Sequence, residues 1–352
     1  MPVIHSQDYN VLIDENPSIL VSFIEQLKPS KIFVIVDENT KLLCLPILEK
    51  YLKTPFSSIQ IVSGEKFKNL KTCTLMWDAL MKNKCDRKSL IINLGGGVIG
   101  DMGGFLASTY MRGVTFIQMP TTLLSQVDAS VGGKLGIDFL GIKNMIGLFQ
   151  NPKLVWIETQ FLKTLPYREL KSGFAEVIKH GLIRSESLWQ SVKQSFPKIE
   201  DSDWKALVQT SVNIKNDIVK EDPLEKGLRK ILNFGHTIGH AVESHFLDSP
   251  NHLLHGEAIA IGMICEAYIS YKEGLLDGPA LKEIRTFIDG FYNIDLKLLP
   301  IKNEILELIL KDKKNTGDQI NFSLLNKIGD CIYDKNISTL RIEESLTYFD
   351  NK

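Results

Sequence analysis

Short apolar runs alternate with amphipathic stretches over the first half of the chain: Ile32 to Val36, Ser58 to Val62, Leu90 to Leu94 and Val114 to Met119. Each run is the length of a buried strand, and the stretches between them have the pattern of helices. The alternation predicts an α/β domain with a mostly parallel sheet. After a last such run, Leu154-Val155-Trp156-Ile157, the periodicity changes. Ser172 to Arg184, Trp204 to Lys220 and His255 to Tyr271 carry apolar residues at helical spacing, so the second half is expected to be mainly α-helical. Gln319 to Leu325 reads as one short late strand. Pro152 and Pro166 bracket the change, which places a boundary near residue 160, with domains over 1–160 and 161–352. No internal repeat is visible.

Gly95-Gly96-Gly97-Val98-Ile99-Gly100-Asp101 directly follows the run ending at Leu94. Glycines permit positive φ and close approach to a ligand, and the amides of the following helix would face an anion. Gly95, Gly97 and Gly100 fit G-x-G-x-x-G, which makes the first domain Rossmann-like and a candidate dinucleotide binder. The ordinary motif has a ribose-binding acid about 20 residues further on. This chain has Thr115-Phe116-Ile117-Gln118 there, and its acid at a strand end, Asp37, precedes the glycines. Dinucleotide binding would therefore require a strand or motif order unlike the usual one.

Bulk properties narrow the classes. The 352 residues are enough for two cored domains, and a net charge of −1 supplies no basic field for nucleic acid. No apolar run reaches the ~20 residues of a membrane span, and Met1 to His5 does not begin a signal peptide. A cytoplasmic protein is expected. Cys44, Cys73, Cys85, Cys265 and Cys331 are scattered without a C-x-x-C pair, and are read as reduced and structural.

The chemistry gathers in the second half. His236 and His240 are spaced i, i+4 on one helix face, a spacing that can give a metal two ligands. His255 stands before Gly256-Glu257, and Glu176 lies in a helical stretch where a solvated face is the plainer reading. One glutamate with two histidines would leave a position open on zinc for a substrate oxygen. Lys134, Lys143, Lys179, Lys215, Arg229 and Lys314 all neighbour glycine, histidine or asparagine elements. Together they point to a small phosphorylated or carboxylated substrate.

In this order the segments Gly95 to Gly104, Met119 to Lys134, Lys143-Asn144, Ala175 to Lys179 and Leu232 to His240 make the chain resemble the 3-dehydroquinate synthases, sugar-phosphate cyclases of the shikimate route. The resemblance implies an NAD-binding first domain, a helical second domain and an active site in the cleft between them. It assigns Asp37 to the adenosine ribose, Glu65 and Lys68 to the flanks of the nucleotide, and Gly96, Gly97 and Asp101 to the pyrophosphate and nicotinamide. Thr121, Thr122, Lys134, Lys143, Phe161, Thr164, Leu165 and Glu169 complete the cofactor pocket. Glu176, His236 and His255 become ligands of zinc or cobalt, with His252 the competitor for the last place. His240 then passes from the metal to the substrate phosphate.

Asp128, Lys134, Asn144, Lys179, Lys215, Arg229, Asn233 and Lys314 are implied substrate contacts, Lys313 being the alternative to Lys314. Arg112 would reach into a neighbouring subunit's site, so a homodimer is implied. The implied reaction converts 3-deoxy-D-arabino-heptulosonate 7-phosphate to 3-dehydroquinate by transient NAD-dependent oxidation, β-elimination of phosphate, re-reduction and intramolecular aldol closure. Related cyclases alter the substrate shell, whereas Lys215, Arg229, Asn233 and His240 stand here as in dehydroquinate synthases. Glycerol-dehydrogenase-like enzymes usually carry an aspartate where this chain has Glu176.

Overall fold

The computed structural model describes residues 3–140, 142–195, 198–247, 249–250, 252–311 and 320–351. The chain forms two compact units, Met1–Pro166 with Trp204–Asn216, and Tyr167–Asp203 with Asp217–Lys352.

The first unit is built on a seven-stranded sheet. Its strands are β1 (Ile4–His5), β2 (Asn10–Ile13), β3 (Ile32–Asp37), β4 (Ser57–Ile61), β5 (Leu90–Gly95), β6 (Thr115–Pro120) and, after a separate hairpin of β7 (Lys134–Phe139) and β8 (Ile142–Phe149), β9 (Leu154–Ile157). Their order is β1-β2-β9-β6-β5-β3-β4, antiparallel only at β1–β2. The four runs expected as strands are β3 to β6, each boundary shifted by at most one residue. β3, β5 and β6 read as nearly continuous apolar runs because helices cover both faces, whereas β4 lies at the sheet edge and buries only Ile59 and Ile61. Val34 and Val36 pack with Leu20, Leu48 and Trp156 on one side, and Phe33 and Ile35 with Met76, Leu80 and Leu106 on the other.

This order resolves the displaced acid. β3 runs parallel to β5 with Ile35 paired to Asn93, so two residues further along Asp37 stands level with Gly95. The acid precedes the glycines in the chain and is their neighbour in the sheet.

The second unit is mostly helical, with helices Tyr167–Arg184, His236–Phe246, His255–Lys272, Gly278–Tyr292 and Thr339–Asp350 among its elements. The late strand is present as Ile320–Lys327, but it is half of an antiparallel hairpin with Asp330–Ile337. The partner escaped the sequence reading because its middle run, Tyr333 to Asn336, is exposed and mostly polar, so no apolar alternation marks it. All five cysteines are buried and free.

Candidate active site

Three helices of the second unit bring Glu176, His236 and His255 together, one ligand atom from each lying within 4.8 Å of the others. Glu176 is wholly buried, which removes the solvated-face reading. Its Oε1 lies 3.5 Å from His236 Nε2 and 3.4 Å from His255 Nε2. The opposite nitrogens are tied back: His236 Nδ1 to the Phe234 carbonyl at 3.1 Å, and His255 Nδ1 to Glu243 Oε2 at 3.2 Å. Such outer bonds set the tautomer and leave both Nε2 atoms toward the glutamate. Among the described residues a second donor set, His240, Glu243 and His255, shares His255. The Glu176 set is the better ligand arrangement, because there Glu243 serves as the support of His255.

The charges suit ligation. Burial favours the neutral acid of Glu176, but Lys179, paired to its other oxygen, and both imidazoles hold it well below the usual carboxylate range. Burial, aided by the Lys179 charge, drives His236 down to about 4, so the ring is in its neutral, ligating form. Burial also opposes a charged His255, yet Glu243 and Glu176 raise it to about 9. A cation bound at Nε2 takes the place of that proton. Replacing Glu243 by alanine is expected to weaken zinc affinity about 10–100-fold, as read by competition with a chelator. An unchanged affinity would rule out the supporting role.

Glycines let these helices approach so closely. A Cβ on Gly256 would lie 1.9 Å from the Ser172 carbonyl oxygen, and one on Gly262 would lie 1.9 Å from that of Gly235. Gly235 itself stands at φ +80° as the N-cap before His236, a conformation that favours glycine. In place of a capping side chain of its own, this helix start has the buried Glu266, which accepts the amides of Gly235 (2.6 Å) and Ile238 (3.1 Å). Arg168 makes a two-pronged bond to Glu257, both at 2.7 Å, and donates to the His252 carbonyl. The His252 side chain is exposed and joins none of the candidate donor sets found among the described residues.

At the C-terminal edge of the first unit's sheet, Gly96 starts the helix Gly97–Thr109 without a side-chain cap. None of Gly95, Gly96, Gly97 or Gly100 stands at positive φ, which corrects one reason given for them. Close packing is the reason: a Cβ on Gly95 would lie 2.3 Å from Ile99 Cδ1, and one on Gly96 3.0 Å from Thr122 Cγ2. Thr121 donates its amide to the Gly95 carbonyl at 3.0 Å. Asp37 caps the helix Glu38–Leu43 through Oδ1, bound to Thr40 N at 2.7 Å, with Oδ2 left out of the cap.

Beside this edge the buried Lys68 donates to Asp101 Oδ2 at 2.6 Å and to Asn144 Oδ1 at 2.7 Å, and Glu65 lies 3.8 Å from Lys68 and 3.7 Å from Lys143. Burial opposes the charge of Lys68, but Asp101 and Glu65 outweigh it and raise its pKa. Phe161 is packed in the core, and Thr164 Oγ1 donates to its carbonyl at 3.2 Å, with Leu165 half-buried beyond. Glu169 lies in the second unit, where burial raises its carboxyl.

Of the remaining residues, Lys215 grips Asp128 through its carboxylate (2.9 Å) and its carbonyl (2.6 Å). Arg229 is buried and donates to the Pro223 carbonyl at 2.6 Å, and Asn233 Nδ2 donates to Glu225 Oε1 at 2.6 Å. The His240 ring lies 5.0 Å from that of His236 and 5.9 Å from that of His255. Lys134 is exposed at the start of β7, and Arg112 is exposed at φ +68°. Lys313 and Lys314 lie outside the described residues. Glu243 and Glu266 were not singled out from sequence. Glu243 continues the His236, His240 face two turns on, and Glu266 is the one acid inside the apolar stretch Ala258 to Ala267, which were the available signals.

The family description "3-dehydroquinate synthase N-terminal" matches residues 58–172, and "3-dehydroquinate synthase C-terminal" matches residues 173–315. The chain is 40% identical over 348 residues to the 3-dehydroquinate synthase of Parabacteroides distasonis, covering 98% of each protein. The chain belongs to the 3-dehydroquinate synthase family. It is also 42% identical over 294 residues to the 3-dehydroquinate synthase of Campylobacter concisus, 83% of each. Among solved structures it shares its fold with 2-deoxy-scyllo-inosose synthase complexed with carbaglucose-6-phosphate, NAD+ and Co2+ (TM-score 0.88, 23% identity, 99% of each chain). The 2-epi-5-epi-valiolone synthase of Streptomyces hygroscopicus with NAD+ and Zn2+ bound has the same fold (TM-score 0.87, 24% identity, 99% of this chain and 98% of that one).

Proposed function

We propose that the protein is a 3-dehydroquinate synthase, eliminating phosphate from 3-deoxy-D-arabino-heptulosonate 7-phosphate and closing the product to 3-dehydroquinate. The near-full-length identity of 40% to a synthase of that name carries the reading. NAD and zinc or cobalt, named with the structural neighbours, are the proposed cofactors. The residues present suit both. Three donors converge, the two histidines with their outer nitrogens already tied, and Glu176, His236 and His255 would hold the cation, which when bound polarises a substrate oxygen. The uncapped helix start at Gly96-Gly97 suits a pyrophosphate, and a Cβ on Gly97 would meet only Ala129, at 3.7 Å. Asp37, Glu65, Lys68, Asp101, Thr121, Thr122, Lys143, Phe161, Thr164, Leu165 and Glu169 complete the proposed NAD site, and NAD supplies a reversible hydride acceptor.

The chain's own groups do the rest. Lys179 keeps Glu176 ionised. Lys134, His240 and Lys314 receive the charge of the departing phosphate. Arg229 and Asn233, each braced by an acceptor on the loop Asp222 to Glu225, orient the substrate, with Asn144. Lys215, fixed by Asp128, presents its ammonium to the substrate. We place the enzyme in the cytoplasm as a homodimer, with Arg112 turned to the neighbouring subunit's site; no helix of the described residues is long and apolar enough to cross a membrane.

With NAD and zinc supplied, one phosphate is expected per heptulosonate phosphate consumed, with no lasting absorbance of NADH. Phosphate retained on the substrate, or steady NADH accumulation with a simple polyol, would replace this function with that of a different cyclase or of a dehydrogenase.

A further inference from the structure

We propose that Glu266 is a positioning residue for His236, the wholly buried carboxylate that determines where this histidine presents Nε2. The inference rests on the metal reading of Glu176, His236 and His255. Glu266 reaches from the helix His255–Lys272 to the start of the helix His236–Phe246, and its two oxygens accept the amides of Gly235 (2.6 Å) and Ile238 (3.1 Å). Those amides bracket His236. Gly235, the N-cap, has no side chain to cap with, so the anion at the positive end of this helix dipole comes from a neighbouring helix.

The ring of His236 depends on the same main chain. Its Nδ1 is tied to the carbonyl of Phe234, one residue before the Gly235 amide that Glu266 holds. A shift of that turn therefore moves Nε2 relative to Glu176 Oε1, now 3.5 Å away. The helix that carries Glu266 also carries His255 at its first position and Gly262 against the Gly235 carbonyl. One helix thus supplies one histidine directly and aims the other through a carboxylate three turns along.

A cap that served folding alone would change only stability, so the test reads metal binding in folded protein. Glu266→Gln keeps the volume and one acceptor oxygen, while Glu266→Ala removes both. Zinc and cobalt dissociation constants are measured by chelator competition well below each variant's melting temperature, with the Co2+ visible spectrum recorded alongside and Glu176→Gln as reference. Affinity is expected to fall about 10-fold or more in Glu266→Gln, with an altered cobalt spectrum, and further in Glu266→Ala where that variant folds. Lower melting with unchanged affinity and spectrum in Glu266→Gln would overturn the positioning role. Wild-type metal binding by Glu176→Gln would instead overturn the metal reading itself.

Discussion

Alanine at Glu176 is expected to abolish binding of the divalent cation and to destabilise the second unit by about 3–5 kcal/mol. The two effects have separate causes. Metal binding fails because Glu176 Oε1 is the point on which both Nε2 atoms converge. Stability falls because Lys179 and Glu176, with side chains only 2% and 1% exposed, are each other's charge partners, so the substitution leaves an ammonium in the interior without its carboxylate. Glu176→Ala combined with Lys179→Met should recover much of the stability and none of the metal. Denaturant unfolding and metal analysis of the purified proteins separate the two, and phosphate release should fall at least about 10²–10³-fold, the order seen when one strong electrostatic contact to a transition state is lost. Wild-type metal content in the alanine variant would remove Glu176 from the ligands.

Gly262→Ala should disable the same centre without touching a ligand. The added Cβ would stand 1.9 Å from the carbonyl oxygen of Gly235, against a limit near 3.0 Å. The Cβ is fixed by its own backbone and the carbonyl is main chain, so no rotamer relieves the clash and the helices His236–Phe246 and His255–Lys272 must part by about 1 Å. Overpacking of this kind costs typically ~1–3 kcal/mol or more, and metal geometry tolerates ligand shifts of only about 0.2 Å. A lower melting temperature and weakened zinc binding are therefore expected together. Gly290→Ala is the control, since its Cβ would meet nothing within 4 Å. Normal melting and zinc affinity in Gly262→Ala would show that the two helices can part without disturbing the centre.

Much of this was legible in the sequence, for identifiable reasons. The strands β3, β5 and β6 announced themselves because burial on both faces leaves a nearly uninterrupted apolar run, and β4 through the alternation of Ile59 and Ile61 with polar neighbours. The partner strand Asp330–Ile337 did not, because its run Tyr333 to Asn336 is exposed and mostly polar. Asp37 could be recognised as an acid at a strand end, but its place beside Gly95 depends on strand order, which local pattern does not encode. The same holds for the metal centre. The spacing of His236 and His240 suggested a pair on one helix, whereas the geometry draws His255 from a different helix and Glu176 from a third. The glycines after Leu94 were read for backbone freedom and close approach to a ligand, yet Gly95, like Gly256 and Gly262, matters for the space it leaves vacant, which only the packed partner reveals. Glu266 was passed over in the sequence, where its one signal was being an acid inside the apolar stretch Ala258 to Ala267, and its role shows only with the Gly235 amide placed against it.

The first unit is not contiguous in the chain: after Pro166 it resumes only at Trp204–Asn216. During synthesis the whole sheet leaves the ribosome before the helix that bears Lys215 exists. At ~5–20 residues per second, translating the next 50 residues, 167 to 216, takes roughly 3–10 s, and for that time the nascent sheet lacks the cation that will grip Asp128. A fragment ending at Pro166 keeps every strand of the sheet and still has an unfinished surface, a natural target for chaperones. No single cut in the gene should therefore divide the two units, because Tyr167–Asp203, with Glu176, lies between the two segments of the first, and a permuted chain should open elsewhere than the 166/167 junction.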